Sequence, residues 1–354
     1  MRIFSTSSNT QRITVSMEPT VSEISMPDFT IILAFLLALA FEFVNGWTDA
    51  PNSIATAIST RAVRPQTAVI IAASFNMLGA LSGTAVATTI GKGIVKAEAL
   101  DGLTVASALI GVICWSTLAW FFGLPTSESH GLIAGLTGAG LASGGFSVLQ
   151  AEGWAKVGIG LLLSTLSGFI LAYLVMGFLM NLVRKMKPSR IRKNFARLQF
   201  CSVAFMAFGH GSNDGQKTMG VMTLLLFLSG GIKEFKVPIW VIFLSGATMA
   251  IATAFGGWKI VKTIGMRMTK LTPIHGFAAE LSSAATITVA SHFGVPLSTT
   301  HTIGTAIMGV GAHRRFSAVR WGVVRNVVLA WILTFPVCGL ISYLITTVVK
   351  TFLR

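Results

Sequence analysis

Charge is scarce in this chain. Only 11% of its 354 residues are Asp, Glu, Lys or Arg, against about 25% in soluble domains. A soluble fold of this length could not cover its surface so sparsely. Soluble enzymes, nucleic-acid binders and disordered chains are therefore poor readings. Cysteine is scarce as well. Cys114, Cys201 and Cys338 lie far apart in apolar sequence, which excludes a disulfide framework and zinc-type spacing. What fills the chain is apolar, with 53% AVILMFWYC and a mean hydropathy of +0.74. That composition points to an all-α polytopic membrane protein embedded in a lipid bilayer.

The few charges are unevenly placed. Lys and Arg number 27 against 12 Asp and Glu, a net +15, but the basic residues sit in short segments between apolar runs. The longest, 184–197, holds Arg184, Lys185, Lys187, Arg190, Arg192, Lys193 and Arg197 and no acid. The positive-inside rule reads it as a cytoplasmic loop of a plasma (inner) membrane protein, not as a nucleic-acid surface. Residues 1–27 form a polar tail whose few charges favour the outer side. No small-residue cleavage site follows the apolar run from Ile31, which reads as a first span and not a cleaved signal. The expected organisation is the tail, a first transmembrane repeat over 28–183, the basic loop 184–197, and a second repeat over 198–354. Apolar runs in the two parts give about 10–12 spans. Polar clusters at 45–53 and 209–217, and short Gly-interrupted runs at 131–149 and 302–312, predict discontinuous or re-entrant helices.

Two motifs recur. Asn45-Gly46-Trp47-Thr48-Asp49-Ala50-Pro51-Asn52 resembles Gly209-His210-Gly211-Ser212-Asn213-Asp214-Gly215-Gln216, with Asp49 and Asp214 at an offset of 165. Pro125-Thr126-Ser127-Glu128-Ser129-His130 pairs with Pro296-Leu297-Ser298-Thr299-Thr300-His301 at an offset of 171, and Gly138 and Gly140 match Gly309 and Gly311 at the same offset. Two motifs in one order, at nearly one spacing, make two homologous halves. Matching polar breaks in repeated halves mark the site of a secondary transporter. An anion channel is the runner-up, since channels also carry broken helices. An intramembrane hydrolase is a weaker third; Ser129–His130 and Thr300–His301 lack any supporting nucleophile motif. The chain is thus read as not an enzyme, with no catalytic residue and no cofactor.

Each Pro-x-Ser segment reads as a helix start, with free amides at the positive end of the dipole. Thr126, Ser127, Ser129, Ser298, Thr299 and Thr300 add uncharged donors, a set suited to a tetrahedral oxyanion. The plain alternative is capping and helix packing. Asp49 and Asp214 lie in apolar sequence, where a carboxylate is a functional hypothesis by default. With Thr48, Asn52, Asn213 and Gln216 they offer an oxygen-rich set for a hard cation or a proton. Asp49, Asp214 and Asn213 are the candidate Na⁺ ligands. Glu42, seven residues before Asp49 on one helix face, is a further proton site. Lys217, Glu128, Glu280, His130 and His301 are secondary candidates, and Lys217 is expected to pair with a carboxylate or with the anion.

These residues resemble the inorganic phosphate transporter (PiT) family, over about Phe41–Tyr343. The resemblance rests on Asn45–Asp49 through Thr60-Arg61-Ala62, on Gly209–Lys217 and on Gly294–His301. It implies two inverted repeats, a homodimer, and import of phosphate with Na⁺ or H⁺, with Asp49 and Asp214 in coupling and the Ser/Thr clusters on phosphate. Many members carry Asn where this chain has Thr48. Bacterial proton-coupled members, thought to carry a neutral metal–phosphate complex, vary there too and share the Asp-Gly-Gln-Lys run. That tilts the coupling ion toward the proton. Some relatives carry sulfate.

Overall fold

The computed structural model describes residues 29–352, and among these every regular element is helical. The polar tail and the charges expected to orient it lie outside the described residues. Fifteen α-helices follow in order: α1 (Phe29–Thr48), α2 (Pro51–Ser59), α3 (Pro65–Ala80), α4 (Ala85–Gly93), α5 (Gly102–Phe121), α6 (Glu128–Gly144), α7 (Ala151–Leu162), α8 (Gly168–Val183), α9 (Pro188–His210), α10 (Gln216–Leu228), α11 (Ile239–Ala254), α12 (Trp258–Lys262), α13 (Pro273–His292), α14 (Thr299–Arg314) and α15 (Trp321–Phe352). Pro51, Pro65, Pro188 and Pro273 each open a helix, where the missing N–H costs nothing and φ is preset.

The element order is itself a repeat. α1–α2, α3–α4, α5, α6 and α7–α8 recur as α9–α10, α11–α12, α13, α14 and α15. α3 and α4 are bent by 68° at a short break, and α11 and the helix that begins at Trp258 by 65°. The turns after α5 and α13 match as well: Gly123 and Gly294 sit at φ +68° and +67°, a conformation glycine adopts without steric penalty. Gly138 and Gly309 both sit at close helix contacts. A Cβ on Gly138 would meet the Gly339 carbonyl oxygen at 2.0 Å, and one on Gly309 that of Phe169 at 2.3 Å.

The two halves are not separate packing units. One apolar core joins Ile54 and Ala72 of α2 and α3 to Met176, Val203, Ala278 and Ile307 of α8, α9, α13 and α14. The other joins Ala38, Ile90, Leu109 and Leu132 of α1, α4, α5 and α6 to Met222 and Val241 of α10 and α11. Each core therefore borrows from the other half in the same way. The surface is apolar outward: Leu36, Phe121, Leu174, Phe178, Ile332 and Leu340 are exposed, as for helices bathed in lipid.

Four helical stretches are long and apolar enough to cross a membrane, or six if each bent pair is one span. The remaining helices are α6, α9, α10, α13 and α14; α6, α10, α13 and α14 are buried along much of their length, so they need no lipid-compatible composition. Two expectations are refined. The basic segment is a loop only to Lys187, because Pro188 starts α9 and Arg190, Arg192, Lys193 and Arg197 ride on that helix. The polar cluster at 209–217 does not break the chain either. It forms a single π turn, Gly211–Gly215, between α9 and α10, of a kind frequent at functional sites.

Candidate functional site

The segments before α6 and α14 are built alike. Ser127 Oγ accepts from His130 N at 3.3 Å and Ser298 Oγ from His301 N at 3.1 Å, so both serines are N-caps. The segments are also tied to each other. Thr300 Oγ1 lies 2.8 Å from the Thr126 carbonyl and shares its one proton between that acceptor and Asp49, and Ser129 Oγ donates to the Leu297 carbonyl at 2.6 Å. Two helix N-termini thus meet in the interior.

At that meeting point lie two cages related by the repeat. In the first, Asp49 Oδ1 accepts from Thr300 Oγ1 at 2.5 Å and from Asn52 Nδ2, and Asn52 Nδ2 also reaches Thr300 Oγ1 at 2.9 Å. In the second, Asp214 Oδ1 accepts from Lys217 Nζ at 2.5 Å, and Lys217 Nζ also donates to Ser129 Oγ and to the Leu297 carbonyl at 3.3 Å. Asp49 matches Asp214, Asn52 matches Lys217, Thr300 matches Ser129, and the Thr126 carbonyl matches that of Leu297. Thr299 joins the cages, its Oγ1 lying 3.1 Å from Asp49 Oδ2 and 3.3 Å from Asp214 Oδ2. All of these side chains are buried, and Asn52, Asp214 and Lys217 have no exposure at all.

The other sequence candidates fall around this pair. Glu128, at the position Thr299 holds in the second half, accepts from Thr48 Oγ1 at 2.8 Å and from Ser116. Asn213 lies on the peptide group of Leu297, donating to its carbonyl at 2.9 Å and accepting from its N–H at 3.3 Å. Its side-chain amide thus serves the pre-helix segment and Asp214 Oδ1. Gln216 Oε1 accepts from Val86 N at 2.8 Å, at the start of α4. Glu42 and Glu280 stand in networks of their own. Glu42 accepts from Asn45, Thr218 and Ser245; Glu280 accepts from Thr56, Gln199 and Ser202. The His130 and His301 rings pack edge to face at 4.7 Å, and His301 lies on Trp331 at 4.0 Å. Neither histidine's ring nitrogens have a hydrogen-bond partner among the described residues.

Sequence reasoning ranked His210 low, with no place in the site, and did not single out Asn76. His210 Nδ1 is 3.0 Å from Asn76 Oδ1, and its Nε2 is 3.6 Å from Asp214 Oδ2. Asp49, His210 and Asp214 each offer one atom within 4.8 Å of the others, a group able to hold a metal ion. The available signal for His210 was its place four residues before Asp214, one turn away on a helix.

The phosphate transporter family profile matches residues 45–342. The chain is 47% identical to the probable low-affinity inorganic phosphate transporter of Rhizobium meliloti (strain 1021), covering 87% of this chain and 93% of that one. It is 36% identical to the probable low-affinity inorganic phosphate transporter of Bacillus subtilis (strain 168), over 91% of this chain and 99% of that one. Among solved structures, a sodium-dependent phosphate transporter superposes with a TM-score of 0.82 at 26% identity, covering 91% of this chain and 99% of that one. With the doubled motifs and the helical fold, these likenesses make the chain an integral membrane transporter of the phosphate transporter family, and not an enzyme.

Proposed function

We propose that this protein is a secondary active symporter that imports inorganic phosphate by alternating access, coupled to H⁺ or Na⁺. The observation that carries the reading is the engagement of Thr299 and Thr300. Their hydroxyls point at the Asp49 and Asp214 carboxylates. A hydroxyl has one proton to donate, so while the carboxylates hold these protons an incoming anion cannot. A proton or Na⁺ on Asp49 removes the need for them; Thr300 then keeps the Thr126 carbonyl as its acceptor, and the Thr299 hydroxyl, at a helix N-terminus, is free to turn toward the anion. Phosphate binding and cation binding then favour each other, which is the requirement for symport.

The doubled element order and the shared cores support two inverted halves that rock around this site. In the full reading the protein is a homodimer of the plasma (inner) membrane, with the basic segment 184–197 cytoplasmic and free or metal-complexed phosphate as substrate. The test is uptake of radiolabelled phosphate into proteoliposomes, with a Na⁺ gradient and a pH gradient imposed separately. Accumulation above equilibrium under one gradient, undiminished by excess sulfate, supports the proposal. Filling only to equilibrium makes it a channel, and displacement by sulfate makes it a general oxyanion permease.

A further inference from the structure

The two cages are equivalent in position but not in content. Both offer a carboxylate, a hydroxyl and a backbone carbonyl: Asp49, Thr300 and the Thr126 carbonyl in one, Asp214, Ser129 and the Leu297 carbonyl in the other. This is the oxygen chemistry that hard cations select. The residue three positions after each aspartate reaches back to its Oδ1 in both halves. In the first half that residue is Asn52, a neutral amide; in the second it is Lys217.

We infer that the Lys217 ammonium is a built-in counter-cation that fills the second of two equivalent cation cages, so that only the cage of Asp49 takes a coupling ion. Lys217 Nζ has three N–H donors and three oxygen partners: Asp214 Oδ1 at 2.5 Å, Ser129 Oγ, and the Leu297 carbonyl at 3.3 Å. Its side chain is wholly buried. A lysine at membrane depth is expensive unless it is paired, and here every donor is used. The Asp214–Lys217 pair is neutral as it stands, whereas the Asp49–Asn52 pair carries an uncompensated carboxylate. His210 Nε2 lies 3.6 Å from Asp214 Oδ2 and a ring nitrogen of His210 within 4.8 Å of an Asp49 carboxylate oxygen, so the difference between the cages is the exchange of Asn52 for Lys217. A mobile cation entering the second cage would meet an ammonium on the same three oxygens, and like charges at that separation exclude it.

The inference rests on the symporter reading, but its test does not require phosphate to move. Purified protein is equilibrated with ²²Na⁺ at saturating concentration and the bound ions are counted per chain. The parent is expected to bind one Na⁺ at most. Lys217→Asn, which gives the second cage the residue of the first, is expected to bind one more than the parent, and Lys217→Arg the same number as the parent. An unchanged count in Lys217→Asn overturns the inference, as does a gained ion in Lys217→Arg. Should Lys217→Asn not fold, the parent's own count decides: none or one supports the inference, and two overturns it. Loss of phosphate accumulation in proteoliposomes, with these counts as expected, would instead overturn the symporter reading alone.

Discussion

Asp49 and Asp214, 165 residues apart in the chain, share one hydroxyl: Thr299 Oγ1 lies 3.1 Å from Oδ2 of the first and 3.3 Å from Oδ2 of the second. A hydroxyl can donate to only one acceptor at a time, so Thr299 serves one of the two carboxylates at a time. Two like charges held this close in a buried site oppose each other strongly. A nearby cation or a proton on one carboxylate relieves this, and Lys217 supplies a cation on the Asp214 side. In the proposed symport, the imbalance left at Asp49 is what a coupling ion would relieve.

Removing the shared donor tests this directly. Thr299→Val keeps the shape and deletes the hydroxyl, leaving a buried acceptor unsatisfied at a cost of about 1–3 kcal/mol. Phosphate uptake should fall by roughly tenfold or more, since each 1.4 kcal/mol is about a factor of ten. Thr299→Ser should retain most of it. Parental uptake by the valine variant would show that the hydroxyl does not link the cages.

The two aspartates should respond differently to the same substitution. Asp49→Asn removes a carboxylate that has no resident cation, so the protein should fold normally and lose coupled uptake. Asp214→Asn also strands Lys217 in the interior. Breaking a buried pair on one side costs about 3–5 kcal/mol, so this variant should melt well below the parent in detergent. Adding Lys217→Gln to Asp214→Asn should restore the melting temperature but not uptake. Equal stability of the two single variants would contradict the pairing.

Much of this was legible in the sequence because it is local and repeated. The offset of 165 that joins Asp49 to Asp214, and the 171 that joins Ser129 to Thr300, located both cages. Direction was not legible. Nothing in the pattern told whether the Thr299 and Thr300 hydroxyls face an anion or a carboxylate, because that depends on where another helix lies. Glu128 and Thr299 occupy one repeat position, yet one accepts from Thr48 and Ser116 while the other bridges the aspartates. The sharing of cores between halves was hidden for the same reason. Met222 of α10 and Leu132 of α6 belong to one apolar core, and no local periodicity records such a partnership between halves. The bends after α3 and α11 had only weak signals, Gly83 in one and the Gly256-Gly257 pair in the other.

Close backbone contact between α6 and α15 gives a third prediction. An Ala Cβ at position 138 would stand 2.0 Å from the Gly339 carbonyl oxygen and 2.7 Å from its carbon. Backbone atoms cannot rotate away, so the helices must separate, and such overpacking costs about 1–3 kcal/mol. Gly138→Ala should lower the melting temperature clearly. Gly158→Ala in α7, where a Cβ meets nothing within 4 Å, should leave it unchanged or slightly raised. The same melting point for both variants would deny the contact.

A surface carboxylate supplies a pH dependence with a definite sign. Asp101 caps α5, its Oδ1 accepting from Thr104 N and Thr104 Oγ1 at 2.7 Å each, while its Oδ2 lies 3.3 Å from Lys350 Nζ of α15. Partial burial pushes its carboxyl up, but the Thr104 hydrogen bonds and the Lys350 charge outweigh this and hold it below its ordinary value. A carboxyl depressed in the folded state contributes stability above its unfolded pKa, near about 4, and loses it as pH falls through the folded value. Asparagine caps a helix about as well as aspartate, so Asp101→Asn isolates the charge. It should destabilise the protein at neutral pH by under about 1 kcal/mol, because the side chain is 56% exposed and solvent screens the pair. That deficit should shrink as pH is lowered below about 4 and shrink likewise in high salt. Asp101→Ala also removes the cap, so a loss of about 1 kcal/mol should persist at low pH. Melting curves of the three proteins across pH decide it: a deficit in Asp101→Asn that stays constant as the pH falls would mean that the Asp101 charge does not tie α5 to α15.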